Sequence, residues 1–217
     1  MLEFRNVTFS YGDKPVLSSL TFSANEGEVT GILGPSGTGK TTVLDLAFGL
    51  LSPKNGFVTP FSSEKVSFLF QENRLLPWRS ALRNLTVLGI PENRAKTYLS
   101  KVGLAGEESA LPDSLSGGMK RRLSLARTLA FGGDTFYLDE PLRELDRKTA
   151  DEMQDLLRQE LSGKTGLLIT HSPAEAFALC DRILLVGKRP LEILADVPKN
   201  LFSSSEELEA FLSEKTV

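Results

Sequence analysis

Four short stretches of this chain put side chains capable of chemistry at the spacings chemistry needs. The first is GPSGTGKTT, residues 34–42. It satisfies the pattern G-x-x-x-x-G-K-[ST], follows an apolar strand-like run and opens a helix-like one. Gly34, Pro35, Ser36, Gly37, Thr38 and Gly39 can bend so that backbone N–H groups face inward around phosphates. Lys40 then reaches the β- and γ-phosphates, the Thr41 hydroxyl is placed for Mg²⁺, and Thr42 completes the loop. The second stretch is FYLDEP, 136–141. An apolar strand there delivers Asp139 to its C-terminal end, where it can hold Mg²⁺, and Glu140 follows, able to orient or deprotonate an attacking water. The third is LSGGM, 115–119: Ser116, Gly117 and Gly118 before a helix form a second anion site of N–H groups, a hydroxyl and a helix dipole. The fourth is LLITHSPAEA, 167–176, which holds the only histidine, His171. Taken alone, His171 is either a working imidazole or a residue that happens to end a buried strand.

Positioning these stretches requires a particular set of elements. Leu2, Phe4, Val7 and Phe9, then Val16, Leu17, Leu20 and Phe22, alternate as two strands joined around Tyr11-Gly12-Asp13. EVTGILG (28–34) reads as a strand entering the glycine-rich turn, and KTTVLDLAFGLL has helical spacing. KNG (54–56) signals a turn, and KVSFLF (65–70) another strand. From about residue 73 to 115 the pattern is helical and loop-rich, broken at Pro77, Pro91 and Pro112, which reads as an inserted helical subdomain. A helix over 117–130, the strand TFYLDE, and an amphipathic helix over 147–161 with Asp146 as N-cap come next. The strand GLLIT, a helix from Pro173 to Cys180, the strand RILLV, a short strand near LEILA and a terminal helix over 204–215 complete the chain. Strands alternating with helices predict a mainly parallel α/β sheet.

The chain's 217 residues can bury one sizeable core, and 41% apolar with 24% charged residues is ordinary globular composition. A net charge of −3 without blocks of like charge predicts no nucleic-acid partner. The single cysteine, Cys180, fits a reducing compartment and reads as an apolar filler. MLEFRNVTFSYG lacks the pattern of a signal peptide, and no stretch approaches the roughly 20 apolar residues that cross a bilayer. Any service to a membrane is therefore expected to go through a partner.

With LSGGMKRRLSLARTLA following the phosphate loop and preceding FYLDEP, the chain resembles the ATP-binding subunits of ABC transporters over nearly its whole length. The resemblance implies a P-loop NTPase fold: a mainly parallel core sheet, an N-terminal antiparallel β subdomain and an inserted helical subdomain. It implies a single ATPase domain over 1–217, with 1–72 and 116–217 forming the β subdomain and core and about 73–115 the helical part. It implies hydrolysis of ATP with Mg²⁺ by Glu140, His171, Lys40 and Gln71. Thr41, Gln71 and Asp139 would serve the metal, and Tyr11, about 23 residues before the loop, would stack on adenine. On its own Tyr11 is only a strand-end tyrosine, and Gln71 only a polar strand end. Ser116, Gly117 and Gly118 would contact the γ-phosphate of ATP held by a second copy in a homodimer.

FQENRLLPWRSALRNL and KRPLEIL further resemble subunits of importers for nitrate, sulfonates, taurine and thiamine-precursor pyrimidines. Polytopic permease subunits and an extracytoplasmic solute-binding protein would then be partners. The chain would sit peripherally on the cytoplasmic face of the membrane and be soluble when isolated. Leu75, Leu76 and Trp78 either pack inside the helical subdomain or line a groove for a cytoplasmic helix of the permease. One departure stands out. The family usually has Ser-Ala-Leu-Asp after the catalytic glutamate, and this chain has Arg143-Glu144-Leu145-Asp146. Two other functions compete. A soluble ABC-type ATPase of DNA repair or translation would carry a long coiled-coil insertion or two cassettes, and this chain has neither. A phosphotransferase using the phosphate loop alone would leave LSGGM and Tyr11 unexplained.

Overall fold

The computed structural model describes residues 1–215. Strands β1 (Leu2–Tyr11) and β2 (Lys14–Ala24) form the expected antiparallel hairpin. Their alternating apolar residues point to one side, where Phe4 stacks on Phe22 with ring centroids 4.6 Å apart. Register shifts between Phe4 and Phe9 put bulges in the hairpin, and Asn6 and Ser19 take positive φ there. The turn signal at 54–56 is corrected: Asn55 opens a third strand, β4 (Asn55–Thr59), which pairs antiparallel with β1. Gly56 has φ +84 and lies so close to β1 that a Cβ would come 2.4 Å from the carbonyl oxygens of Arg5 and Asn6. The glycine thus serves close backbone approach within a strand, not a turn.

The second sheet has the order β5-β6-β7-β3-β8-β9, from β5 (Val66–Leu69), β6 (Thr135–Asp139), β7 (Thr165–Thr170), β3 (Val29–Leu33), β8 (Arg182–Gly187) and β9 (Glu192–Pro198). Its first five strands are parallel and β9 is antiparallel. β3, β6 and β7 are buried along their whole length, which is why they read as unbroken apolar runs. Neighbouring residues on a strand still serve different cores. Phe136, Leu138 and Leu168 join the helices on one face, and Tyr137, Leu167 and Ile169 join α1 (Lys40–Phe48) and the antiparallel sheet on the other.

The helical segment contains α2 (Ala81–Thr86) and α3 (Glu92–Lys101), with a 3₁₀ turn at Pro112–Ser114. Both helices pack on α4 (Gly117–Phe131), so the apolar side of α4 closes the bundle that the 73–115 segment begins. Asn84, fully buried on α2, accepts from the Leu76 N–H and donates to the carbonyls of Leu76, Arg79 and Ser80. One amide side chain thereby closes the loop that carries Trp78. Trp78 itself is 70% exposed and outside any core, whereas Leu75 packs partly against it, so the packing alternative holds for Leu75 and fails for Trp78.

α5 (Arg147–Glu160) is capped by Asp146, which accepts from Thr149 N–H at 3.1 Å. α6 (Pro173–Leu179) stops one residue short of Cys180, and α7 (Ser205–Lys215) begins after Ser204, whose hydroxyl accepts from Glu207 N–H. No helix among the described residues is long and apolar enough to cross a membrane.

Candidate active site

Parallel register brings the chemistry to one edge. Leu33 pairs with Thr170, Asp139 with Ile169 and Leu69 with Leu138. The residues just past these pairs are Gly34, His171, Glu140, Phe70 and Gln71. They gather at the carboxyl ends of the strands, where open α/β sheets bind ligands.

The phosphate loop runs from β3 into α1. Gly39, the N-cap, has φ +112, and a Cβ there would meet Val16 Cγ1 at 2.6 Å. This position admits no side chain, so the loop backbone closes against β2 with its N–H groups at the helix start. Lys40 is 5% exposed, and its ammonium donates to the carbonyls of Gly34 and Pro35 at 2.8 and 2.7 Å. Burial lowers its pKa, while Glu140 and Asp139 act to raise it. The Thr38 hydroxyl donates to Pro35 O at 3.1 Å and stiffens the turn.

A pocket of about 250 Å³ opens over this loop. Tyr11 and Val16 of the first hairpin line it together with Ser36, Gly37 and 39–42, and so do Gln71 and Glu140. Tyr11 packs edge-on against Phe9, leaves half its surface exposed, and has its hydroxyl 3.4 Å from Thr42 Oγ1. Arg189, from the turn between β8 and β9, also lines the pocket. The Arg-Pro pair that contains it is visible in the sequence as a subfamily feature, but nothing there places it at the site.

Below the pocket, Thr41 Oγ1 donates to Asp139 Oδ2 at 2.8 Å. Asp139 is 1% exposed, and its other oxygen, Oδ1, is buried without a hydrogen-bond partner. Burial pushes its pKa up to about 6 against the pull of the Thr41 bond. A buried carboxylate oxygen with no donor, beside a hydroxyl and under a phosphate loop, is what a hard divalent cation needs. Among the described residues no group of three or more His, Cys, Asp or Glu side chains could hold a metal alone, so the remaining ligands would have to be hydroxyl, amide or phosphate oxygens.

Glu140 follows Asp139 in a left-handed conformation, φ +46, with its N–H donating to Ile169 O at 2.9 Å. Such a backbone costs about 1–3 kcal/mol and turns the side chain out of the strand's alternation. Its carboxylate lies 3.2 Å from His171 Nδ1 at Oε1 and 3.7 Å from Arg143 Nη1 at Oε2. The two residues that depart from Ser-Ala-Leu-Asp therefore interact inside the chain: Arg143 faces Glu140 and also lies 3.5 Å from Glu144.

Ser116, Gly117 and Gly118 do not join this pocket. Ser116 caps α4, its hydroxyl accepting from Met119 N–H at 3.2 Å, and it and Gly117 are exposed. The chain thus builds two anion-ready turns that face different spaces.

The sequence profile described as ABC transporter matches residues 17–143, more than half of the chain. The chain belongs to the ABC transporter family. It binds and hydrolyses ATP. It is 40% identical over 203 residues to an aliphatic sulfonates import ATP-binding protein of Agrobacterium fabrum, covering 89% of this chain and 74% of that one. With a protein of the same description from Rhodopseudomonas palustris it shares 39% identity over 228 residues, covering 98% of this chain and 81% of that one. Among solved structures, a dimeric bacterial ABC transporter cassette superposes with TM-score 0.81 at 28% identity over 92% of this chain and 99% of that one. A dimeric post-hydrolysis cassette bound to ADP and Pi gives TM-score 0.80 at 27% identity, with the same coverage.

Two residues near the site escape sequence reasoning. Glu175 on α6 is almost wholly buried; Thr170 Oγ1 donates to its Oε2, and its Oε1 has no partner. The capping pattern Ser172-x-x-Glu175 was the available signal, and Ser172 does cap the helix. Arg121 lies in the basic run Lys120-Arg121-Arg122, which reads as a solvated face; only the packing of α4 turns it inward, where it is 2% exposed.

Proposed function

We propose that this ABC ATPase is the energy-coupling subunit of an importer for a small anion or small organic solute, working as two copies that sandwich ATP. The observation that carries the reading is the pairing of Glu140 with His171 beside a phosphate loop whose Thr41 is bonded to Asp139. The import of aliphatic sulfonates by the named relatives supports an organic anion as the solute.

In this reading Tyr11 stacks on adenine, while the N–H groups of 34–42 and Lys40 hold the phosphates. Thr41, Asp139 and Gln71 would hold Mg²⁺, which when bound would offset the charge of the β- and γ-phosphates. Glu140 takes the proton of the attacking water, and His171 orients Glu140 and touches the γ-phosphate. Lys40 leaves the Gly34 and Pro35 carbonyls for phosphate oxygens. Ser116, Gly117 and Gly118 lie outside the pocket of their own chain, which supports their acting on the ATP of the other copy. A two-fold arrangement makes the two sites equivalent.

The whole chain serves as one domain, with about 73–115 as its helical part; residues 216 and 217 of that assignment lie outside the described residues. The polytopic permease and the extracytoplasmic solute-binding protein complete the importer, and the chain is held to the cytoplasmic face of the membrane through the permease. The exposed Trp78 loop, beside Gln71, is the surface offered to the permease.

E140Q tests the sandwich. It should bind ATP, hydrolyse it slowly and run at twice the monomer mass in light scattering with ATP and Mg²⁺. A monomer under those conditions would reject it. Uptake of an aliphatic sulfonate should fall in cells lacking the chain, and unchanged uptake would remove that solute class.

A further inference from the structure

Among the described residues Arg121 is the largest fully buried side chain, and its guanidinium donates its hydrogen bonds to backbone carbonyls. Nη1 donates to Phe70 O at 2.7 Å and to Gln71 O at 3.3 Å. Nη2 donates to Asp139 O and Glu140 O, both at 2.6 Å, and Nε to Pro141 O at 3.2 Å. Among the described residues it forms no ion pair; burial works against its charge, and Asp139 and Glu144 favour it at longer range. Burial alone would have favoured an apolar residue. The planar fork suits this place because its donors reach carbonyls of two chain segments: the start of the glutamine loop, and the strand end that Glu140 bends at φ +46.

The same helix grips the glutamine loop further on. Ser124 Oγ and Arg127 Nη2 donate to Asn73 O at 3.1 and 2.9 Å, and Arg127 Nη1 to Arg74 O at 2.8 Å. Arg122 ties α4 in the other direction, donating to Val102 O and Gly103 O after α3. α4 is therefore fastened both to the helical segment and to the two loops that carry Gln71 and Glu140. Its first turn is Ser116, Gly117 and Gly118.

We propose that Arg121 is a positioning residue that couples Gln71 and Glu140 of one ATP site to the Ser116-Gly117-Gly118 turn presented to the other site. This rests on the two-copy sandwich proposed above. A shift of Gln71 or Glu140 on meeting nucleotide pulls the carbonyls that Arg121 holds, and α4 carries the shift about one helical turn to Ser116. The phosphate loop is not among the groups Arg121 touches, so ATP affinity should stand apart from this coupling.

The test compares E140Q, E140Q/R121Q and E140Q/R121K. ATP affinity is measured by equilibrium binding below the dimerisation concentration, dimer formation by light scattering with ATP and Mg²⁺, and folding by thermal melting. With ATP affinity kept within about threefold, the Gln variant should dimerise at least about fivefold more weakly, the lower range of coupling between sites. The Lys variant, which keeps the charge but cannot bridge both segments, should fall between. Failure of E140Q itself to dimerise would reject the sandwich and this inference with it. Equal dimerisation of all three would overturn the inference alone. A parallel loss of ATP affinity and melting temperature in both substituted chains would also overturn it, assigning Arg121 to stability only.

Discussion

Replacing His171 by alanine separates binding from turnover. The His171 ring is 58% exposed, and Nδ1 lies 3.2 Å from Glu140 Oε1, while the Glu140 side chain is only 11% exposed. In the ground state such a bond contributes about 0.5–1.5 kcal/mol, and the imidazole supports no core, so melting should barely move. In the proposed site residues 34–42 and Tyr11 grip ATP, and the exposed His171 adds a single contact at the γ-phosphate. Affinity should therefore stay within a few-fold. Charge and water orientation in the transition state are another matter. Losing one preorganised donor there costs about 2.7–4 kcal/mol, which is roughly 10²–10³ in kcat. E140Q should be at least as severe. Because the two side chains share one hydrogen bond, H171A/E140Q should be no slower than the worse single variant within a few-fold. Steady-state ATPase rates and equilibrium ATP binding on the four proteins check this. Wild-type turnover in H171A, or multiplicative losses in the double variant, would refute the reasoning.

If Mg²⁺ enhances ATP affinity through Asp139, as proposed, Asp139→Asn should remove that enhancement; equal enhancement in both proteins would place the metal elsewhere. Tyr11→Ala should weaken ATP binding by about fivefold or more, from lost stacking of about 1 kcal/mol or above, with melting unchanged. Trp78→Ala, at a 70% exposed side chain, should leave stability within about 0.5 kcal/mol and basal ATPase intact while weakening permease-coupled transport. Glu175→Gln concerns pH. Burial raises the Glu175 pKa from 4.5 to about 7, so the folded chain binds a proton more readily than the unfolded one. By linkage Glu175 lends stability below its unfolded pKa, and that contribution is lost as pH rises towards and through about 7. The parent's melting temperature should fall relative to E175Q as pH rises from about 5 to 8; parallel curves would count against a buried, uncharged carboxyl.

The fold was legible where side-chain period and burial agree. β1 and β2 alternate because one face is covered, and β3, β6 and β7 read as short apolar runs because both faces are. The candidate site is legible as far as a phosphate loop, an acid pair and a helix-opening Ser-Gly-Gly, each of which lies in consecutive residues. β4 was missed because Asn55-Gly56 follows turn chemistry, and the positive φ it signals is used for a close strand crossing instead. Arg121 and Glu175 were missed for a different reason. Arg121 is a charge among charges and Glu175 fits a helix cap, so neither has a local mark of burial, and their partners here are backbone carbonyls and a threonine on another element.

The places where local rules are broken lie together. Glu140 sits in a left-handed conformation, Asp139 keeps a buried oxygen without a donor, Glu175 another, and Arg121 is buried among carbonyls. Each is unfavourable alone, and a strand end built only for stability would have none of them. Together they make a consistent machine part. Around the left-handed Glu140 the carbonyls of Asp139, Glu140 and Pro141 accept from Arg121. The unpaired Asp139 oxygen beside Thr41 fits the cation proposed there. Arg143 fits the same logic: its guanidinium replaces a small residue and lies near the Glu140 oxygen that His171 leaves free. Both carboxylate oxygens thus have a cationic or donor neighbour from this chain, so a water arriving at Glu140 must compete with Arg143. R143S, which restores the family's small residue, should remove that competitor and raise basal ATPase at unchanged ATP affinity. A fall in rate instead would make Arg143 a supporter of Glu140, not its competitor.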